Sequence, residues 1–376
     1  MSLKKAFRSG LQNWLSYNST RIYHNLYKSM ISKSPELGKV AEGENAWLNK
    51  WREYDKRMSP LAYRIFSRYI GNDINIMPME LCMSFVEPIL TPAEYRQYYS
   101  DKNSFGKILQ GIRMPYVYAR NIKGSFFDNN YNSLDGHPLS ELEQRKVNSF
   151  VLKPSLEASG RGVRIFRYSN GRFVDSENTV FSLEFLYTVY KKDYLIQECV
   201  SQSAFNSYFN PTSINTIRIA TYRDVKTHEV RYLRAVMRIG RKGTEVDNSH
   251  AGGSFVGIDE CGVLGKYLCN QWGEKVCVFN DIDFEHNTFV IPNYEYIKQF
   301  AIEIGEKVIH HDLVAMDIAI DSNNNPQLIE INVGGFSGKL FQLTSGTVFG
   351  DYTDDVMEYV TRKMKNSELK IMYYRK

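Results

Sequence analysis

The segment Leu313–Gly335, LVAMDIAIDSNNNPQLIEINVGG, limits the possible fold more than any other stretch. Two apolar runs flank a turn built of Asp, Ser, Asn and Pro, residue types that close tight turns. Successive side chains of a strand point to opposite faces. In the first run Met316, Ile318 and Ile320 therefore share a face opposite Asp317. In the second, Ile329, Ile331 and Val333 share a face opposite Glu330 and Asn332. Paired as an antiparallel hairpin with one face packed, the two runs bring Asp317, Glu330 and Asn332 together on the other. Three oxygen donors suit a hard cation such as Mg²⁺, which keeps water and phosphate among its ligands. The alternative is a solvated outer face, although an exposed hairpin usually carries more polar residues.

A second stretch, FVLKPSLEASGRGVRIF (Phe150–Phe166), reads as strand, loop, strand with Lys153 at the joint. A lysine next to a loop of small residues can hold a phosphate between its ammonium and backbone N–H groups. A structural hairpin has the same pattern. The middle strands alternate arginine with apolar residues. Arg218 opposes Ile217 and Ile219, and Arg234 and Arg238 oppose Leu233, Ala235, Met237 and Ile239. Arginine forks bind phosphate or carboxylate bidentately, and surface arginines paired to acids are the alternative. G-x-x-x-x-G-K-[ST], G-x-G-x-x-G and G-x-S-x-G are all missing, so neither a P-loop, a dinucleotide fingerprint nor a nucleophile elbow explains the pattern.

Composition is that of a globular chain, with 376 residues, 43% of them hydrophobic. Five cysteines without a C-x-x-C pair argue against a disulfide framework or a zinc site. No apolar run reaches membrane-spanning length and no signal peptide opens the sequence, so a cytoplasmic protein is expected. Residues 1–70 carry thirteen Lys/Arg against five Asp/Glu, a basic excess of eight; the net charge of +5 leaves the remainder acidic by three. Nucleic-acid binding by the whole chain is not expected. The basic part includes a helical stripe, Leu3, Phe7, Leu11, Trp14, Leu15, Ile22, Leu26 and Met30. Two alternatives stay open: residues 1–33 rest on an anionic inner-membrane surface, or the helix docks on its own domain. Thr91 is expected to cap a short helix near Pro92, and strands dominate from Tyr116 onward, with a hairpin turning at Lys123-Gly124. The fold class is α+β, rich in antiparallel strands.

Taken in order, Asp101-Lys102, Lys153 with its loop, LIQECV, NTIRIATYR and MDIAI…LIEIN resemble the ATP-grasp superfamily. Through SINTIRI, RIGRKGTEVDNSHAGG and LFQLTSGTVFGDY the chain is most like the sugar-transfer-associated ATP-grasp group, over about residues 95–360. The resemblance implies two α+β lobes sandwiching ATP. These are a first lobe over 101–196 and a second over 197–376, with the Mg²⁺ site and a C-terminal helix, after a mainly helical region over 1–100. Lys102 and Lys153 would hold ATP phosphates beneath a loop containing Ser159, Gly160 and Gly162. The segment Gln197 to Val200 would join the lobes and read adenine through backbone at Glu198 and Val200, with the Glu198 side chain on the amino group. Asp317, Glu330 and Asn332 would hold two Mg²⁺. Arg218 would bridge the γ-phosphate and a developing acyl phosphate, with Arg234 and Arg238 as further catalytic cations. Asn215 would face the substrate. Lys339, after Gly335 and Gly338, would clamp the acceptor's carboxylate, with an ordinary surface lysine as the alternative. The implied activity is an ATP-dependent carboxylate–amine ligase acting on a glycan- or sugar-linked acid, in polysaccharide biosynthesis. A kinase acting on a hydroxyl and a non-catalytic nucleotide-binding protein are the alternatives. Two departures stand out: the loop has only Gly160 and Gly162, and Ser201 to Ser203 follow QECV where an acid for the ribose is expected.

Overall fold

Runs rich in β-branched and aromatic residues form two antiparallel sheets. The computed structural model describes residues 3–134, 137–157, 160–244 and 252–365. The first sheet holds β1 (Val117–Ile122), β2 (Ser125–Phe127), β3 (Ser149–Pro154), β4 (Arg164–Ser169), β5 (Arg172–Val174) and β6 (Tyr194–Glu198), in the order β2-β1-β6-β3-β4-β5. The second is built from β7 (Ile217–Arg223), β8 (Val230–Ile239), β9 (Ser254–Ile258), β10 (Leu264–Cys269) and β11 (Lys275–Val276). A small ribbon, β12 (Val278–Phe279) and β13 (Ile282–Asp283), precedes β14 (Leu313–Ile320) and β15 (Pro326–Asn332), and these last two complete the second sheet as β11-β10-β9-β8-β7-β14-β15. The β1–β2 hairpin turns at Lys123 (φ 53°) and Gly124 (φ 97°), the two positive φ angles that a tight two-residue turn requires.

Both faces of the second sheet are covered. On one, Ile217, Ile219, Met237, Val314 and Met316 pack under the helix Tyr294–Lys307. On the other, Ala220, Tyr222, Leu233, Val236 and Ala315 share a core with the N-terminal helices and with Val356 and Val360 of the C-terminal helix Thr353–Lys365. Two register breaks depart from simple alternation. Ala220 pairs with Arg234 but Thr221 with Tyr232, so Leu233 is the extra residue of a bulge and packs with Val236, not with Ala235 and Met237. Asp317 pairs with Glu330 but Ile318 with Leu328, so Ile329 is left over. Leu328 takes the core place expected for Ile329, beside Ile331 and Val333.

The N-terminal helices are α1 (Leu3–Lys33), α2 (Glu44–Arg52) and α3 (Leu61–Ile70). Trp47 and Trp51 are fully buried, and their indole N–H groups donate to the Ile76 and Ile74 carbonyls at 2.8 and 3.0 Å. Such a pair can sit inside because its polar atoms are satisfied. Along α1, Leu15, Tyr27 and Met30 are buried while Trp14 and Ile22 are exposed, so the expected stripe splits between core and solvent. The side chains of Leu3, Phe7 and Leu11 lie outside the described ones. Tyr27 donates to Glu80 at 3.0 Å. Among the described residues no helix is long and apolar enough to cross a membrane. Thr91 does not cap the helix Ala93–Ser100: its hydroxyl donates back to the Glu87 carbonyl at 2.6 Å, and Pro92 occupies the cap position.

Candidate functional site

The end of β3 meets the β14–β15 hairpin at the seam between the two sheets. Lys153 is buried there, and Lys102 reaches the same place from the segment after the helix Ala93–Ser100. The Lys102 ammonium pairs with Glu330 Oε1 at 3.0 Å and donates to the Glu157 carbonyl of the loop at 2.9 Å. Its backbone N–H donates to the Ser155 carbonyl, so loop and lysine are fixed together. Two lysines thus face one carboxylate, Lys102 in an ion pair and Lys153 only through its field. Burial first, and then the Lys102 charge, bring the Lys153 pKa down to about 7, with Glu330 opposing.

On the same rung lies a second charge cluster. Arg218 holds Asp317 with both arms, Nε to Oδ1 at 2.7 Å and Nη2 to Oδ2 at 2.8 Å. Arg238 donates to Oδ2 at 3.0 Å, and the Asn332 amide reaches the same oxygen at 3.4 Å. Burial would raise the Asp317 pKa, but the two guanidinium groups outweigh it and hold the carboxyl below its ordinary range. Alternation in β7, β8 and β14 aims these side chains at one face, and the Asp317↔Arg218 and Asp317↔Glu330 pairings set them side by side.

These groups line a cavity of about 560 Å³ that also contains Lys102, Lys153, Gln197, Glu198, Val200, Gly160 and Lys339. A neighbouring cavity of about 630 Å³ reaches the two lysines from the side of residues 105–115, without Asp317, Glu330 or Arg218. The smaller one is the candidate site because it collects the opposed charges. The loop lines it at Glu157, Gly160, Arg161 and Val163, and Gly160 and Gly162 have φ of 71° and 70°. A Cβ at 162 would stand 2.9 Å from Pro154 Cγ, so only glycine fits there. Ser159 lies outside the described residues. On the segment joining the lobes, the Glu198 N–H donates to the Tyr116 carbonyl at 2.8 Å, and its carboxylate accepts from the Tyr116 N–H at 3.2 Å.

Two residues expected at the site are elsewhere. Arg234 donates to the Thr347 carbonyl at 3.1 Å and is not among the cavity's lining residues. Asn215 is fully buried; its amide donates to the Asn206 and Asn210 carbonyls, both at 2.8 Å, which fixes the loop before β7. Conversely, Ile329 and Tyr23 line the cavity and strand alternation gave no sign of either. The bulge turns Ile329 inward, and Tyr23 arrives from α1, far away in sequence.

An anionic occupant of the site would restore charge to Lys153. Without one, a Lys153→Met variant should be more stable than the wild type. The sign depends on pH. The unfolded lysine keeps its proton up to about pH 10, whereas the folded one loses it above about 7. The penalty is therefore complete below about pH 7 and fades as pH rises toward 10. Thermal melts should show a gain of about 2 °C or more near pH 6.5, and a smaller one near pH 9.5. An equal gain at both would show that Lys153 is not desolvated.

Residues 84–356 match the family model described as sugar-transfer associated ATP-grasp. No curated protein matches the chain. Among solved structures it is similar to the D-alanine–D-alanine ligase of Bacillus anthracis, at 14% identity over 72% of this chain and 69% of that one, TM-score 0.39. It is also similar to N5-carboxyaminoimidazole ribonucleotide synthetase of Thermotoga maritima, at 12% identity over 71% and 51%, TM-score 0.37. A third is the ATP-grasp ligase PsnB complexed with precursor peptide PsnA2 and AMPPNP, at 11% identity over 86% and 77%, TM-score 0.40. The chain thus spans about half the length of the Thermotoga enzyme, and likenesses this low say nothing of its substrates. The family match covers most of the chain and both sheets: the chain belongs to the sugar-transfer-associated ATP-grasp family and has the α+β ATP-grasp fold.

Proposed function

We propose that the chain is an ATP-dependent carboxylate–amine ligase that works through an acyl phosphate, on an acid linked to a sugar or glycan. The observation that carries this reading is the charge content of one cavity, where Lys102, Lys153, Arg218 and Arg238 face Asp317 and Glu330. With Arg161, Lys339, Glu157 and Glu198 also in the lining, six cations stand against four anions, and a positive excess suits a triphosphate bound close to a carboxylate. Lys102 and Lys153 would take the phosphates, with the Gly160–Gly162 backbone above them. The apolar Val151, Ile165 and Ile329 offer a slot for the base beside Glu198 and Val200.

The donors fit Mg²⁺: Glu330 and Asp317 face each other in register, and Asn332 follows on the same strand. Glu330 and Asn332, with Asp317 beside them, would hold the ion, which offsets charge on the phosphate oxygens. The substrate carboxylate oxygen attacks the γ-phosphorus, the bond to the β-phosphate oxygen breaks, and ADP leaves. Arg218 would donate to the transferring phosphoryl group while Arg238 keeps Asp317 in place. The amine then attacks the acyl carbon and loses a proton, and inorganic phosphate departs with the C–O bonding electrons.

Glu330→Gln should keep the fold and lower ADP formation by about 100-fold or more. The screen for it offers amino acids, uronic acids and sugar nucleotides as acids and amines. Release of inorganic phosphate with a new amide supports the ligase. A phosphorylated hydroxyl product would instead make the chain a kinase, and wild-type turnover by Glu330→Gln at saturating Mg²⁺ would remove Glu330 from the metal site.

We further propose that the exposed side of α1 rests on an anionic membrane surface, as a peripheral contact. Trp14 and Tyr17 are more than half exposed there, and six Lys/Arg precede Ser34. Full-length protein should float with anionic vesicles at low salt, and a Trp14→Ser, Tyr17→Ser variant should not. If neither floats, α1 is a docked helix and nothing more.

A further inference from the structure

Beyond Asp317 the cavity runs on to a wall that the family match leaves out in part. Tyr23 of α1 stands there with Phe255, Gln271, Ser337 and Lys339. Residue 23 precedes the matched residues 84–356, whereas Phe255, Gln271, Ser337 and Lys339 lie within them.

The wall holds an ammonium with little to neutralise it. The Lys339 Nζ donates to the Gln271 carbonyl at 2.8 Å. Burial alone, with no charged neighbour contributing, brings its pKa down to about 8. An ammonium has three N–H donors, and one carbonyl uses one of them. The carbonyl itself is held firmly. The turn that carries it is tied by Lys33 to Glu274 at 2.7 Å and by the Tyr69 hydroxyl to the Gly273 carbonyl at 2.5 Å. A Cβ on Gly273 would stand 2.5 Å from Met30 Cε, so the turn is seated directly on α1. Thus α1 and α3 fix Gln271, and Gln271 fixes Lys339.

On the ligase reading above, Lys102 and Lys153 take the triphosphate. We propose that the Lys339 end of the cavity is an anion subsite for the second substrate, taking a phosphate or carboxylate other than the carboxylate that is activated, with Tyr23 as its wall. The place of the nucleotide rests on the ligase reading above; the anion subsite itself rests on Lys339 and its surroundings. The substrate class that follows is an acid or amine bearing an additional anionic group. Neutral sugars and simple monoamines are disfavoured, because they would leave the ammonium desolvated and uncompensated.

The test uses full-length protein saturated with MgADP and treated near pH 8 with pyridoxal 5′-phosphate or with pyridoxal, followed by borohydride and peptide mapping. At that pH about half of a lysine with a pKa of about 8 is the reactive amine, against under about 1% for an ordinary one. Lys339 should be modified about tenfold more by the phosphorylated aldehyde, the gain of one charge-assisted contact. Inorganic phosphate and malonate serve as protecting probes, and the better protector identifies the anion. Lys339→Met should fold, melt no lower than the wild type, and lose only that modification. Equal labelling by both aldehydes, or no labelling of Lys339, overturns the subsite. A failure of the nucleotide reading would show separately, as Lys153 labelling that MgADP does not suppress; the ratio at Lys339 decides the subsite in either case.

Discussion

Two buried lysines stand beside one carboxylate where the two sheets meet, and most of the site's arrangement follows from that imbalance. Lys153 ends a strand of the first sheet, Lys102 enters from the preceding segment, and Glu330 belongs to the second sheet. Charges placed in a partly desolvated seam need opposite charge or a ligand. Glu330 supplies some of it, and a depressed Lys153 pKa absorbs the rest. The neighbouring Asp317 is in the converse state, one carboxylate held by two guanidinium groups. The same rung of β14 and β15 therefore holds an ion-paired group and an under-compensated one side by side. Such a surface favours a polyanion that can take up the surplus.

Much of this was legible in the residues because strand alternation is a strong constraint. Asp317, Glu330 and Asn332 could be assigned to one face from LVAMDIAI and LIEIN alone, and Arg218 and Arg238 by the same period. The failures have local causes. A bulge adds one residue and inverts the faces beyond it. That moved Leu233 from one core to the other and turned Ile329 into the cavity. Arg234 sits beside the first bulge, and its guanidinium reaches the Thr347 carbonyl instead of the cavity. Asn215 is expected at the substrate, yet its amide is spent on loop carbonyls. Neither outcome has a sequence signature, because both depend on a loop more than a hundred residues away or on a local turn.

The N-terminal helices were the least readable part. Their periodicity indicated helix but not what would cover it. In the structure Tyr27, Met30, Trp47 and Trp51 share a core with Tyr222, Val236 and Phe255 of the second sheet and with the C-terminal helix. Helices α1 and α3 also hold the Gln271 turn, so a region outside the family match reaches one end of the cavity. Fold and site are coupled there through packing, and a sequence pattern has no means of expressing that.

If the buried lysine pair meets phosphate, nucleotide binding must change the protonation of Lys153. Calorimetric titration of MgADP near pH 7.5, in two buffers of different ionisation enthalpy, reads that change. Lys153, with a pKa of about 7 in the free protein, is then largely neutral, and a bound phosphate chain would raise its pKa. Binding should take up a substantial fraction of a proton per nucleotide, and the uptake should vanish in Lys153→Met. MgADP binding with no proton uptake in the wild-type protein would contradict the claim.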